Sequence, residues 1–236
     1  MAKLLTPPPK VNFHTVAFWS ALIIHFFGVT GMIFFDREWF VSLTPVNLLI
    51  MTFLIWLTHE NRSQRFYIFF FICWCTGMAV EIIGVTTGLL FGEYYYGKVL
   101  GPGIAGVPFL IGINWFAIVY SSAAVAEKLF PAPVKNIHSV LQTKLEGRDI
   151  GISVTGAMLA TFFDWVMEPV AVKLGYWEWK QDGSIPVFNY VCWFFVSFFL
   201  LICYRLMKLS ISNRFAVWLF GIQLIFFILL RLFLPR

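Results

Sequence analysis

The sequence predicts an all-α, polytopic membrane protein that forms a single transmembrane domain from residue 1 to residue 236. Hydrophobic residues make up 60% of the 236 positions and charged residues 12%, which is about half the charged share of a soluble domain. Mean hydropathy is +0.81. The apolar residues also fall into runs long enough to cross a bilayer, which takes about 20 residues in a helix.

Seven apolar runs predict seven transmembrane helices. They lie at 13–35, 39–58, 66–90, 106–126, 150–172, 187–206 and 213–234. The first run exceeds the roughly 7–15-residue apolar core of a signal peptide and has no small-residue cleavage site after it, so we expect it to remain as an anchor. The segment 128–149, between two runs, predicts an amphipathic helix on the inner leaflet.

The lysine and arginine residues predict the orientation. Eleven of the 17 fall on the N-terminal side: Lys3, Lys10, Arg62, Arg65, Lys128, Lys135, Lys144, Arg148, Arg205, Lys208 and Arg214. Six fall on the other side: Arg37, Lys98, Lys173, Lys180, Arg231 and Arg236. Because basic residues concentrate in cytoplasmic loops, we expect a multi-pass protein of the inner cell membrane with a cytoplasmic N-terminus.

Two outer loops are short and rich in aromatic residues, at 91–105 and 173–186. In the second, aromatic residues alternate along 176–179 and are followed by Asp182-Gly183, a strong turn signal. This pattern predicts a β-hairpin at 175–187. The aromatic residues either anchor the loops at the membrane interface or cover a cavity.

Four polar side chains lie inside the apolar runs: Glu81, Asn114, Asp164 and Glu168. A charged group at the bilayer centre costs roughly 2.5–3.5 kcal/mol on insertion scales, so it usually has a function or a partner. Asp164 and Glu168 are four residues apart, hence about 6 Å apart on one helix face. Two carboxylates this close in a poorly solvated place do not both ionise easily, so one should hold a proton.

The predicted topology brings these residues to the same depth. At about 1.5 Å per residue, Glu81, Asn114, Asp164 and Glu168 all lie roughly 6–15 Å below the outer boundary. His25, in the first run, falls in the same layer and is either a packing histidine or a contact for a ligand. The sequence therefore predicts a polar layer in the outer half of the membrane, built by four helices.

Small residues surround the acids. Gly77, Gly84 and Gly88 follow the helical spacing of Glu81. Such stripes permit close helix packing. Close packing alone does not explain three carboxylates among these small residues, so we expect a narrow slot for a slender apolar ligand, with carboxylates at its end.

Several function classes are excluded by the sequence. Residues 101–106 fit a G-x-G-x-x-G pattern, but no soluble βαβ unit surrounds them, so a dinucleotide site is not expected. The four histidines are dispersed and do not form the histidine boxes of membrane di-iron enzymes. The run 213–234 lacks the lysine that a retinal protein needs.

Four blocks of sequence resemble a known family. They are EIIGVTTGLLFGEYYY (81–96), GVPFLIGINWF (106–116), FDWVMEPV (163–170) and GYWEWKQDGSIPVFNYVCWF (175–194). Together they resemble the integral-membrane carotenoid 1,2-hydratases, a family that includes γ-carotene 1′-hydratase and bisanhydrobacterioruberin hydratase types. Two positions depart from the family pattern: Glu168, where aspartate is common, and Cys192, where glycine is usual.

The resemblance implies a hydro-lyase that adds water to the terminal double bond of an acyclic (ψ) carotenoid end and forms a tertiary alcohol. Protonation of an alkene needs a positioned acid, so we expect Asp164 as donor and Glu168 or Glu81 as the carboxylate that orients water. The expected contacts for substrate and cation are Asn114, Trp115, Asn189, Gly84, Gly88, Tyr94, Tyr96, Trp165, Trp177, Trp179 and His25.

The expected partners are a carotenoid resembling lycopene or γ-carotene, or a fifty-carbon analogue, together with water and the lipid bilayer. No cofactor, metal or nucleic acid is expected. Two alternatives stay open. A lycopene cyclase-like enzyme would protonate the same end group but let an internal alkene quench the cation. A proton-coupled transporter or lipophile-binding protein would use the acids as a relay.

Overall fold

The computed structural model describes residues 12–130, 147–180, 183–209 and 211–234. Eight helices lie in these ranges: α1 (Phe13–Phe34), α2 (Arg37–Ser42), α3 (Thr44–Thr58), α4 (Gln64–Thr87), α5 (Leu110–Leu129), α6 (Gly147–Lys173), α7 (Val187–Leu206) and α8 (Arg214–Phe233). In this part of the chain six are long and apolar enough to cross a membrane, namely α1 and α4 to α8. The helix predicted within 128–149 falls mainly on residues 131–146, outside the described residues.

Local sequence explains several helix ends. Asn12, Asp36 and Asn213 precede α1, α2 and α8, and the side chain of each accepts a backbone N–H of the first helical turn. Such caps satisfy donors that have no partner within the helix. Gly88 ends α4 in a left-handed conformation, with φ of 69°, which glycine adopts without steric cost.

The sequence predicted one continuous helix over the run 39–58, and the structure differs. The run is divided into α2 and the 15-residue α3. The cause is Pro45, which lacks an N–H and is tolerated only in the first turn of a helix. The chain therefore ends α2 and begins α3 with the proline near its start.

Four short strands form two antiparallel pairs. β1 (Tyr94–Tyr96) pairs with β4 (Trp177–Trp179), and β2 (Gly103–Ile104) pairs with β3 (Val107–Pro108). The end of the bundle that carries the β1–β4 sheet is called the sheet end, and the opposite end the far end.

The hairpin predicted at 175–187 is corrected by this pairing. Its first strand exists as β4, but the partner is β1 from the loop between α4 and α5, and the described residues after Gly183 are not in a strand. Two further backbone bonds extend the ladder, from Gly97 N–H to the Tyr176 carbonyl and from Lys180 N–H to the Glu93 carbonyl, each 2.9 Å. The loop after α6 therefore pairs its backbone N–H and C=O groups with the loop after α4 and not with itself.

The helix α5 lies at the centre of the bundle. It packs against α3, α4, α6, α7 and α8, and most of its side chains are buried. The other long helices keep large apolar side chains on their outer faces, including Phe26, Phe71, Phe195 and Phe199. An apolar outer surface of this extent is typical of a protein that contacts lipid.

The two ends of α3 contact opposite ends of the bundle. At its start, Thr44 Oγ1 lies 2.7 Å from the Tyr176 hydroxyl, next to the sheet. At its end, the Thr58 hydroxyl accepts a hydrogen bond from Asn213 Nδ2 at 3.1 Å, where α8 begins at the far end. The helix α3 therefore runs the height of the bundle despite its short length.

An ionic cluster holds the far end together. Arg205 on α7 forms salt bridges with Glu127 on α5, at 2.7 Å, and with Asp149 on α6, at 2.5 Å. The Tyr204 hydroxyl donates to Glu127 at 2.5 Å. Because a partly buried ion pair depends on its geometry, this cluster aligns the three helices whose other ends carry the polar layer.

Candidate active site

Three carboxylates from two helices meet in one small buried cavity below the sheet. Glu81 lies on α4, and Asp164 and Glu168 lie on α6; all three are at least 95% buried. The cavity, called the acid pocket, has a volume of about 30 Å³. One water needs roughly 10–15 Å³ of cavity, so the pocket is the size of two or three waters. Its lining also includes Tyr94, Tyr96, Asn114, Trp115, Trp177, Trp179, Asn189 and Trp193.

Glu81 accepts three hydrogen bonds. The Tyr94 and Tyr96 hydroxyls donate to Oε2 at 2.5 and 2.7 Å, and the Trp115 indole N–H donates to Oε1 at 3.0 Å. Hydrogen bonds from such donors stabilise an ionised carboxylate in a buried site. Both oxygens of Glu81 are thus held in place by donors.

Both tyrosines are reliable donors. Burial, and then the charge of Glu81, raises the pKa of the Tyr94 phenol above its ordinary value, and the same two causes raise the pKa of Tyr96. The two hydroxyls therefore keep their protons over the whole physiological pH range.

Glu168 is held by two indoles. The N–H groups of Trp177 and Trp179 both donate to its Oε1, each at 2.7 Å. Its Oε2 has no hydrogen-bond partner among the described residues. One oxygen of Glu168 is therefore fixed, and the other remains able to accept a bond from a molecule in the pocket.

Asp164 has the fewest partners of the three acids. Its Oδ2 accepts one hydrogen bond, from Asn189 Nδ2 at 2.8 Å. Its Oδ1 is buried with no partner in the part of the chain that the structure describes. A buried carboxylate oxygen without a donor is costly, whereas a protonated carboxyl group carries its own donor. Asp164 is thus the acid best suited to hold a proton.

The β1–β4 sheet explains why four donors converge on the acids. Its register pairs Tyr94 with Trp179 and Tyr96 with Trp177. Because strand side chains alternate between faces, all four of these rings point inward. The middle pair, Tyr95 and Glu178, points outward, and the tyrosine hydroxyl bonds the glutamate there.

Two glycines of α4 make room for these donors. A Cβ added at Gly77 would lie 2.6 Å from the Trp115 ring, and one at Gly84 would lie 2.8 Å from the Tyr94 hydroxyl. Gly84 and Gly88 line neither the acid pocket nor the larger cavity described next. The geometry therefore favours packing over ligand contact for the glycine stripe.

A second, larger cavity lies beside the acid pocket. This apolar cavity has a volume of about 440 Å³ and is lined by residues of α1, α2, α3, α5, α6 and α8 and by Tyr176. Asn114 and Met167 line both cavities. The two spaces therefore meet at these two side chains.

Two predicted site residues lie away from the acids. His25 lines the apolar cavity, where its Nδ1–H donates to the Ala21 carbonyl at 2.8 Å. Trp165 is 47% exposed and stacks against the Arg231 guanidinium at 4.6 Å, outside both cavities. The geometry does not support a contact between Trp165 and a molecule in the acid pocket.

Sequence reasoning missed four residues that line the acid pocket: Phe91, Ile111, Met167 and Trp193. Met167 lies three residues after Asp164, and Trp193 lies four after Asn189, so helical spacing from residues already singled out predicts that each shares their face. Trp193 stacks on Trp115 with ring centroids 4.0 Å apart. This signal was present in the sequence.

Comparison with known proteins gives two matches. A family model described as carotenoid biosynthesis protein matches residues 41–234. Bisanhydrobacterioruberin hydratase of Haloarcula japonica is 31% identical over 122 residues, which is 48% of this chain and 36% of that relative. The match spans about a third of the relative's length. No solved structure matches the chain.

The buried donors should matter more to stability than the exposed pair on the same sheet. We expect Tyr94→Phe and Trp179→Phe each to destabilise the protein by about 1–3 kcal/mol, because each removes a donor from a buried carboxylate. Tyr95→Phe is the matched control, since its hydroxyl bonds Glu178 on the exposed face. Thermal unfolding in detergent measures the difference, and equal midpoints for all three variants would contradict it.

Proposed function

Because the chain belongs to the carotenoid biosynthesis protein family, we propose that it is a carotenoid 1,2-hydratase. The proposed reaction adds water to the terminal 1,2 double bond of an acyclic (ψ) carotenoid end and yields a tertiary alcohol. The observation that carries the proposal is a water-sized pocket surrounded by three buried carboxylates in an otherwise apolar helix bundle. The relative's name as a hydratase supports it.

In the first step Asp164 is the acid. Its O–H bond breaks, a C–H bond forms at the less substituted alkene carbon, and the electron pair of the double bond is used in that new bond. The other alkene carbon becomes a tertiary cation, and Asp164 becomes a carboxylate. The unpartnered Oδ1 of Asp164 supports this assignment, because the proton has no competing acceptor.

The cation forms next to fixed negative charge. Glu81 has both oxygens occupied by donors, so it acts as an electrostatic group and not as a proton carrier. Preorganised charge of this kind stabilises a developing ion without reorganisation during the reaction. The ring faces of Trp115 and Trp177, which line the pocket, add cation–π attraction.

Water then attacks the cation. Glu168 Oε2 accepts a proton of the water as its oxygen bonds the tertiary carbon, and transfer of that proton to Asp164 restores both groups. Atoms and charge balance with water as the only co-reactant, so the proposed reaction needs no cofactor or metal. We propose a lycopene-like or γ-carotene-like chain, or a longer homologue, as the substrate.

We expect Asp164→Asn to abolish turnover, with a loss of at least about 10²-fold, because an amide cannot protonate an alkene. Glu168→Gln and Glu81→Gln should also be severe. The measurement is product formation in a host that makes an acyclic carotenoid, normalised to the amount of membrane-inserted protein.

The matched control is Glu178→Gln, an acid-to-amide change on the outer face of the sheet, which should keep near-normal activity. If the acids were only structural, the amides would be tolerated and alanine would destabilise. Normal product from all three amide variants would remove the carboxylates from the mechanism.

We also propose seven membrane crossings in the inner cell membrane, with a cytoplasmic N-terminus. The contacts of α3 with both ends of the bundle support α2 and α3 as the additional crossing. The eleven-to-six division of basic residues supports the orientation. The acid pocket then lies in the outer half.

This topology has a direct test. A reporter that is active only after export should be active when fused after residue 236, and a reporter that is active only in the cytoplasm should be inactive there. The same pair fused in the loop around residue 62 should give the reverse pattern. A cytoplasmic C-terminus would contradict the seven-crossing topology.

A further inference from the structure

The acid pocket is too small for a long hydrocarbon, so the body of the substrate needs another space. We propose that the apolar cavity binds the polyene chain, that the chain enters it sideways from the bilayer over the rim formed by α1 and α2, and that its reacting end reaches the acid pocket at Asn114 and Met167. This inference rests on the proposed function and adds where the substrate binds.

The two cavities adjoin each other. Asn114 on α5 and Met167 on α6 line both, and Met167 lies between the acids Asp164 and Glu168 in sequence. Methionine is unbranched and flexible, so its side chain can move aside when the chain end passes. This arrangement places the end of a bound chain next to the proton donor.

The lining of the apolar cavity suits a conjugated hydrocarbon. Its volume of about 440 Å³ falls within the roughly 300–1,000 Å³ of ligand pockets. The described residues that line it include no aspartate, glutamate, lysine or arginine, so a lipid headgroup has no counter-ion there. Aromatic rings form much of the wall, including Trp39, Phe40, Phe163, Phe226 and Phe227.

The cavity has a rim on the lipid-facing side. Ile23 and Phe27 on α1 and Trp39 on α2 all line the cavity and are 51%, 59% and 55% exposed. Their exposed faces lie on the apolar outer surface of the bundle, which contacts acyl chains. A carotenoid dissolved in the bilayer reaches this rim without crossing water.

The wall formed by α1 lies outside the region that the family model matches. That region begins at residue 41, after α1 and most of α2, whereas all three acids lie inside it. The α1 wall of the cavity is therefore outside the matched region, while its other walls on α3, α5, α6 and α8 are inside it with the acids. Gly28 is the thinnest point of this wall, and a Cβ there would meet only the edge of the Phe226 ring, at 3.2 Å.

Filling the cavity tests the inference. Gly28→Leu fills it from α1, and Leu48→Trp fills it from the opposite wall on α3. Gly221→Leu on α8 is the matched control, because an added Cβ there meets nothing within 4 Å and Gly221 does not line the cavity. Asp164→Asn keeps the cavity open while removing the proton donor.

The probe is lycopene, and two quantities are measured: lycopene retained by the purified protein, read from its visible absorbance, and hydrated product. We expect Gly28→Leu and Leu48→Trp to lower both at least tenfold. Gly221→Leu should match the parent protein, and Asp164→Asn should retain lycopene without forming product.

Failure of the cavity inference and failure of the hydratase proposal give different results. If the parent protein retains lycopene but forms no hydrated product, and the two filling variants lose the pigment, the cavity stands and the hydratase proposal fails. If both filling variants are folded by size-exclusion chromatography and match Gly221→Leu in retention and product, the apolar cavity is not the binding site.

Discussion

The structure depends on the burial of three carboxylates in a medium that does not solvate them. An unpaired charge in such an interior is very costly, so every nearby element supplies a donor. The β1–β4 sheet delivers two tyrosine hydroxyls and two indole N–H groups. The glycines of α4 make space for these rings. Glu81 accepts three hydrogen bonds, Glu168 two and Asp164 one. This difference separates the proposed roles of the three acids.

The proposed function depends on a division of space as well as of charge. A small polar pocket suits water, and a large apolar cavity suits a hydrocarbon, with Asn114 and Met167 between them. Hydration of an alkene in a membrane needs this separation, because bulk water would solvate the acids and a dry site would favour internal quenching of the cation. The sequence alone left the choice between hydration and cyclisation open. The water-sized pocket is what favours hydration.

Local patterns predicted those features that depend on helical spacing. The i, i+4 relation of Asp164 and Glu168, and the common depth of Glu81, placed the acids in one layer. The break at Pro45 was missed because the apolar run continues across it. The predicted partner strand of β4 was wrong because its actual partner, β1, lies about eighty residues away in the sequence. Strand pairing over that distance has no local signal. Glycine spacing alone did not decide what fills the gap beside Gly84, because the spacing is the same for a ligand and for a side chain.

The central claim is that water enters the acid pocket and adds to the substrate. Its most direct test is the mass of the carotenoid formed when the protein acts on lycopene in isotopically labelled water. The account predicts a product heavier by one labelled water for each reacted end, with the label in the new hydroxyl group, under anaerobic conditions and with chelator present. A product of unchanged mass with altered absorption would indicate cyclisation, and oxygen derived from molecular oxygen would indicate oxidation; either result would contradict the account.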